Sequence, residues 1–194
     1  MKFINQNDYP HVKYNHNVAN GGVPEERRCV ESSGCGLCAG IMMVDALTTM
    51  SLALEDCVKL SENSGANHGL GTDMNILGPV LAKIYNLNFK KTNSLKKAIS
   101  HLRKGGHVIA LVTVPKGQEV GLFTKKSHFI NLVSTDGKDF CILDPSYEVD
   151  KYNIPERIGK VNENNLPFLY VDVNEVDYQA KKETYAYYLF SRKK

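Results

Sequence analysis

Apolar positions along the chain follow two different periods. From residue 35 to about 49, Leu37, Ile41, Val44 and Thr48 recur at helical spacing, and Ala39, Met42, Met43, Ala46 and Leu47 fill most of the remaining circumference. A helix that is apolar nearly all round is a buried helix. Asp45 is its only charge. The pattern predicts a second helix after Ser51, to about residue 59, and a third from about residue 72 to 85, where Thr72 and Asp73 offer caps. Pro79, in the middle of the third, is expected to kink or split it. A short strand over residues 87–91 and a fourth helix, capped by Ser94 and ended by Gly105-Gly106, complete this half.

The second half reads with the period of a sheet. Residues 107–114 are rich in β-branched side chains and end at Pro115, and residues 128–134 and 138–143 flank Asp136-Gly137, a hairpin signal. Residues 168–173 and 184–190 read as further strands. Helices first and antiparallel strands later make the class α+β. Residues 1–30 are polar and turn-rich, with Tyr9-Pro10, Asn20-Gly21-Gly22 and Pro24, and read as an extended lead-in. We therefore expect one domain over residues 1–194, with a core at 30–147 and C-terminal strands at 148–194.

Composition narrows the classes. Hydrophobic residues make up 42% and charged residues 23%, ordinary values for a globular protein, and the net charge is +3 with the basic residues scattered. The terminal Arg192-Lys193-Lys194 reads as a solvated tail, so no nucleic-acid partner is expected. No stretch approaches the roughly 18 consecutive apolar residues that span a bilayer, so no membrane partner is expected either. With no signal peptide in view and an odd five cysteines, a reducing, cytoplasmic location is the expectation.

The candidate chemistry begins at Ser32-Ser33-Gly34-Cys35-Gly36-Leu37-Cys38, which places a cysteine in the first turn of the buried helix. Unpaired backbone N–H groups and the helix dipole stabilise a thiolate there. A cysteine hydrolase also needs an imidazole to move protons and a polar group to orient it. His128 opens one apolar strand and Asp144 ends the next, so a hairpin can bring them together. Side chains alternate along strands, which makes the loop length decisive. A two-residue loop would set Phe129 opposite Asp144 and separate the pair. A three-residue loop, Thr135-Asp136-Gly137, would pair Ser134 with Lys138 and set His128 directly across from Asp144, in phase with Ile130, Leu132, Phe140 and Ile142. The second is the expectation.

Three blocks in this order resemble the papain-like peptidases typified by the bacteriocin-processing, double-glycine-leader cysteine peptidases and their stand-alone relatives. They are residues 33–39 followed by Met42, Ser127-His128-Phe129-Ile130 with its Asp-Gly turn, and Leu143-Asp144-Pro145. The likeness covers about residues 30–147. It implies a papain-like fold with the cysteine helix packed on an antiparallel sheet. It also implies cleavage of a peptide or amide substrate through a thioester, with Cys35, His128 and Asp144 in the catalytic positions and no cofactor or metal. Members commonly carry a glutamine shortly before the cysteine to bind the oxyanion. Here residues 28–33 have none, which leaves the Cys35 N–H with a hydroxyl of Ser32 or Ser33. No transporter segment follows, so leader processing during export is not the expected role.

Other readings stay open at this point. Loss of the oxyanion donor would leave a peptide-binding module of the same fold, and acyl transfer to an amine would use the same residues as hydrolysis. Cys35-Gly36-Leu37-Cys38 is also a CxxC at a helix start, as in thiol–disulfide oxidoreductases, but residues 27–33 are too polar for the strand such a domain needs. Zinc on Cys29, Cys35, Cys38 and His68 lacks a second paired set. Cys57 and Cys141 read as core residues, and no role falls to His11, His16, His101 or His107, which lie in polar or turn contexts.

Overall fold

The computed structural model describes residues 2–14, 24–68 and 71–193; His16 and the Asn20-Gly21-Gly22 turn lie outside them. A four-residue helix, α1 (Val30–Ser33), leads through Gly34 into α2 (Cys35–Leu47), in which ten residues from Gly36 to Leu47 are buried. Helices α3 (Leu54–Asn63) and α4 (Met74–Ile84) pack beside it, with the two-stranded ribbon β1 (Asn67–His68) and β2 (Gly71–Thr72) between them. Asp73 caps α4 by accepting the Asn75 N–H at 2.8 Å. Pro79 does not split α4, which runs as one helix across it. It stands in the second turn, where the i−4 carbonyl it would exclude belongs to Asn75, next to the cap.

The second half forms one antiparallel sheet. Its strands are β3 (Leu87–Thr92), β4 (His107–Thr113), β5 (Ser127–Thr135), β6 (Asp139–Leu143), β7 (Asn162–Asn165), β8 (Phe168–Asp172) and β9 (Tyr187–Arg192). They stand in the order β3-β9-β4-β5-β6-β8-β7. The last strand thus returns to the middle of the first half and pairs with both β3 and β4. Between β3 and β4 lies α5 (Leu95–Arg103), capped by Ser94. Residues 173–179, expected to lie in or after a strand, form the helix α6 (Val173–Gln179) instead. Asp172 accepts the Asn174 and Glu175 N–H groups and starts it, a cap that outweighs the β-preference of Val173 and Val176.

Each face of the sheet buries its own cluster. On one, Ile109, Phe129, Leu143, Tyr188 and Phe190 meet Leu37, Ile41 and Met42 of α2, Cys57 of α3 and Leu77 of α4. On the other, Val108, Ile130, Leu132, Phe140 and Ile142 meet Ala98 and Leu102 of α5 and Val176 of α6. The architecture is α+β, with the cysteine helix against an antiparallel sheet. Among the described residues, no helix is long and apolar enough to cross a membrane.

The lead-in is tied to both halves. The Lys2 N–H donates to Asp45 of α2 at 2.6 Å, Ile4 and Tyr14 are buried in the core, and the Gln6 N–H donates to the Pro145 carbonyl at 2.6 Å.

The hairpin of β5 and β6 differs from expectation. Its closing pair is Thr135 with Phe140, so the loop spans residues 136–139, and Ser134 faces Cys141 instead of Lys138. Asp136 causes the wider loop: its carboxylate accepts the N–H groups of Lys138 and Asp139, both at 2.8 Å. Gly137 sits at φ 100°, a left-handed conformation that suits glycine. A bulge between Leu132 and Ser134 then shifts the register to Leu132 with Ile142 and Asn131 with Leu143. One step further Asp144 lies level with Ile130, two residues from His128 and on the same face. The shared face stands, but His128 and Asp144 are diagonal neighbours, not direct partners.

Candidate active site

Cys35 occupies the first position of α2, half-buried, with the free amides of the first turn around it. A Cβ on Gly36 would lie 2.7 Å from the Thr72 Cβ and 3.2 Å from the Phe129 ring, so only glycine lets the helix start meet β2 and β5 this closely. Thr72 is fixed in turn by Tyr14, whose hydroxyl lies 2.7 Å from both Thr72 Oγ1 and Ser61 Oγ.

The structure brings Cys35, His128 and Asp144 together. On one side the His128 ring neighbours the Cys35 thiol in a shared cleft, close enough for each to shift the other's titration. On the other, Nε2 lies 2.7 Å from Asp144 Oδ1. Nε2 is therefore committed to the carboxylate, and Nδ1 is the nitrogen left for the sulfur. Both His128, 5% exposed, and Asp144, fully buried, are shielded from water.

Electrostatics favour an ion pair between thiolate and imidazolium. Burial pushes the Cys35 thiol up, but the hydrogen bond and charge of His128, with backbone bonds at Phe129 and Gly36, outweigh it and leave the thiol below its ordinary value. Burial pulls the His128 ring down, but the charge of Asp144 and bonds to Asp144 and Cys35 leave it raised. Burial would also raise the Asp144 carboxyl. Lys151 first, and then His128, hold it well below the usual carboxylate range.

Ser32 and Ser33 sit in the turn of helix just before the cysteine. The Ser32 hydroxyl donates to the Arg27 carbonyl and lies 3.1 Å from the Cys29 carbonyl and from Ser33 Oγ. Ser33 is buried. Of the other cysteines, Cys38 and Cys57 are fully buried and Cys141 nearly so. Burial pushes Cys38 well above its ordinary value and Cys57 to about 12. The segment before the cysteine is a helical turn and α1, not a strand. His107 departs from the polar context expected of it: it is 2% exposed and bonded at 2.6 Å to Asn131 Oδ1. Among the described residues no group of three or more His, Cys, Asp or Glu side chains is arranged to hold a metal ion.

Several residues at the site carry no mark in the sequence. Lys151 Nζ lies 2.6 Å and Tyr152 OH 2.5 Å from Asp144 Oδ2, and the Ser146 N–H donates to Oδ1 at 2.9 Å. These residues follow in a turn-rich stretch without periodicity. Gln6 is buried, and its Nε2 donates to the Glu31 carbonyl at 2.5 Å. With its N–H on Pro145, it ties the segment before Cys35 to the turn after Asp144. A cleft of about 320 Å³ opens beside Cys35 and His128, with Leu111, Met74, Phe129 and Tyr188 among its walls and Asp73 and Lys181 also lining it.

No family model matches the sequence, and no curated protein matches it. Among solved structures, the chain is similar to a Bacillus anthracis protein described as a "putative C39-like peptidase". The TM-score is 0.52 at 12% identity, covering 82% of this chain and 89% of that one. The chain has a C39-like peptidase fold. At that identity the shared property is the backbone arrangement. The chemistry rests on the residues this chain places on it.

Proposed function

We propose that this protein is a cysteine peptidase or amide hydrolase. The observation that carries the reading is that His128 lines one cleft with Cys35 while its Nε2 lies 2.7 Å from Asp144 Oδ1. In this reading the Cys35 thiolate attacks the substrate carbonyl, and the electrons pushed onto oxygen are held by the Cys35 N–H at the helix start. Ser32 and Ser33 are the adjacent hydroxyls. The proton on the His128 ring goes to the departing amine, the C–N bond breaks, and a thioester remains. Water then attacks the thioester as the ring takes its proton, which releases the acid and restores the thiolate. Asp144 keeps the ring in the required orientation throughout. The apolar walls of the cleft favour a substrate with an apolar side chain near the scissile bond.

The test is intact-mass analysis after exposure to an electrophilic peptide probe. Wild type is expected to gain one adduct and Cys35→Ala none. Cys35 should be alkylated fastest of the five cysteines, with a rate profile centred well below the ~8.5 of a free thiol. His128→Ala should move that profile upward. If Cys35 reacts no faster than Cys38 or Cys57, the reading fails. Adduct formation without turnover of any peptide would favour a binding module of the same fold.

A further inference from the structure

Asp144 does not face His128 as a lone charge. Its Oδ1 receives the ring and the Ser146 N–H, while Oδ2 receives Lys151 Nζ and Tyr152 OH. Lys151 is itself almost wholly enclosed, 9% exposed in its side chain. Its other short contacts are the Ser146 carbonyl at 3.0 Å and Ser146 Oγ at 2.7 Å, so the three hydrogens of the ammonium have three acceptors. Ser146 Oγ also stands 3.1 Å from the ring Nε2, which closes a loop from lysine through serine to imidazole. A side chain as mobile as lysine, buried with every donor used, is held in one place.

From this geometry we infer that Lys151 is a positioning residue: it neutralises Asp144 from behind, so that His128 is oriented by a dipole and not by a full negative charge. The inference rests on the proposed role of His128. An unneutralised carboxylate 2.7 Å away in a buried site would bind the imidazolium proton strongly. A ring that holds its proton too firmly is a poor donor to the leaving amine and a poor base toward water. With the ammonium 2.6 Å beyond the carboxylate, the ring keeps its direction and loses part of that stabilisation. Further charges around the cluster include Arg157, whose Nη1 donates to the Lys151 carbonyl at 3.0 Å, Glu163, which acts on Tyr152 together with Arg157, and Asp73 and Lys181, which line the cleft on the His128 side. The Cys35 sulfur faces the ring from the cleft side.

The experiment follows the His128 ring itself, by NMR titration in a Cys35→Ala background, which needs no substrate. Lys151→Met should raise the pKa of the ring by about one pH unit or more, and Lys151→Arg should leave it near the parent value. Asp144→Asn should lower it, and Asp144→Asn with Lys151→Met should bring it partly back, because the stranded ammonium is gone. In the enzyme with Cys35 restored, the alkaline limb of the hydrolysis profile should move with the ring. Lys151→Gln removes the charge but keeps polar contact with Ser146, and gives the same reading if the methionine variant does not fold. An unchanged or lowered ring pKa in both charge-removing variants overturns the inference, whatever the probe shows at Cys35.

Discussion

Only two residues separate Cys35 from Cys38, yet the two sulfurs stand in opposite environments. Cys35 lies at the open helix start beside an imidazole; Cys38 lies one turn in, fully buried, with burial and the neighbouring Cys35 both raising its thiol. A hydrolase needs one thiolate and a dithiol redox enzyme needs both sulfurs. Cys38→Ser is therefore expected to keep most peptide hydrolysis, at a modest loss of stability from the buried hydroxyl, whereas Cys35→Ser removes nearly all of it. Equal loss in the two variants, measured at matched folded fraction, would return the redox reading. At this scale the sequence singled out Cys35, His128 and Asp144 as candidates, because each stands at an element boundary that the local pattern marks, and the structure sets them near one another. Lys151, Tyr152 and Gln6 carry no such mark. Their positions depend on loops that only closure of the fold brings to Asp144 and Glu31.

The elements place these residues through two close fits. One is the bulge between Leu132 and Ser134, which restores the phase that the four-residue loop at 136–139 would have reversed. Alternation alone required His128 and Asp144 to share a face, and that requirement was readable. How it is met was not, since the loop length turns on hydrogen bonds of the Asp136 side chain, and a bulge leaves little trace in a hydrophobic run. The other fit is α2 against β2 and β5 at Gly36. Gly36→Ala forces the new methyl to within 2.7 Å of the Thr72 side chain, closer than carbon atoms pack. Either α2 or the ribbon must shift by several tenths of an ångström. The expected result is a protein that still folds, destabilised by about 1–3 kcal/mol, with peptide hydrolysis reduced more than tenfold because the sulfur moves relative to the ring. Wild-type turnover in that variant would mean that the close approach has no part in positioning Cys35.

Across the whole molecule, the sheet holds a polar pair beneath the cysteine helix. His107 and Asn131 lie on the same face as Ile109 and Phe129, and burial, opposed by the bond to Asn131, lowers the His107 ring to about 4. The unfolded ring titrates near 6.5. Between those values the unfolded chain binds a proton that the folded one refuses, so stability rises with pH across the window. The contribution is fully present above about pH 6.5 and is lost as pH falls toward 4, on the order of 3 kcal/mol in all. His128, raised in the folded state, and Asp144, lowered, change their share above and below this window. Chemical denaturation from pH 4 to 7 should show the slope in wild type and a flatter line in His107→Gln; a flat wild-type profile would remove His107 as its source. The sequence by itself determined the α+β class, the buried helix that opens on Cys35, and the order of cysteine, histidine and aspartate, because those follow from local periodicity and caps. Only the tertiary structure decided the return of the last strand between β3 and β4, the helix after Asp172, the diagonal pairing of His128 with Asp144 and the enclosure of Lys151. These depend on contacts between residues far apart in the chain, whose energies are settled by packing and burial and leave no periodic signal.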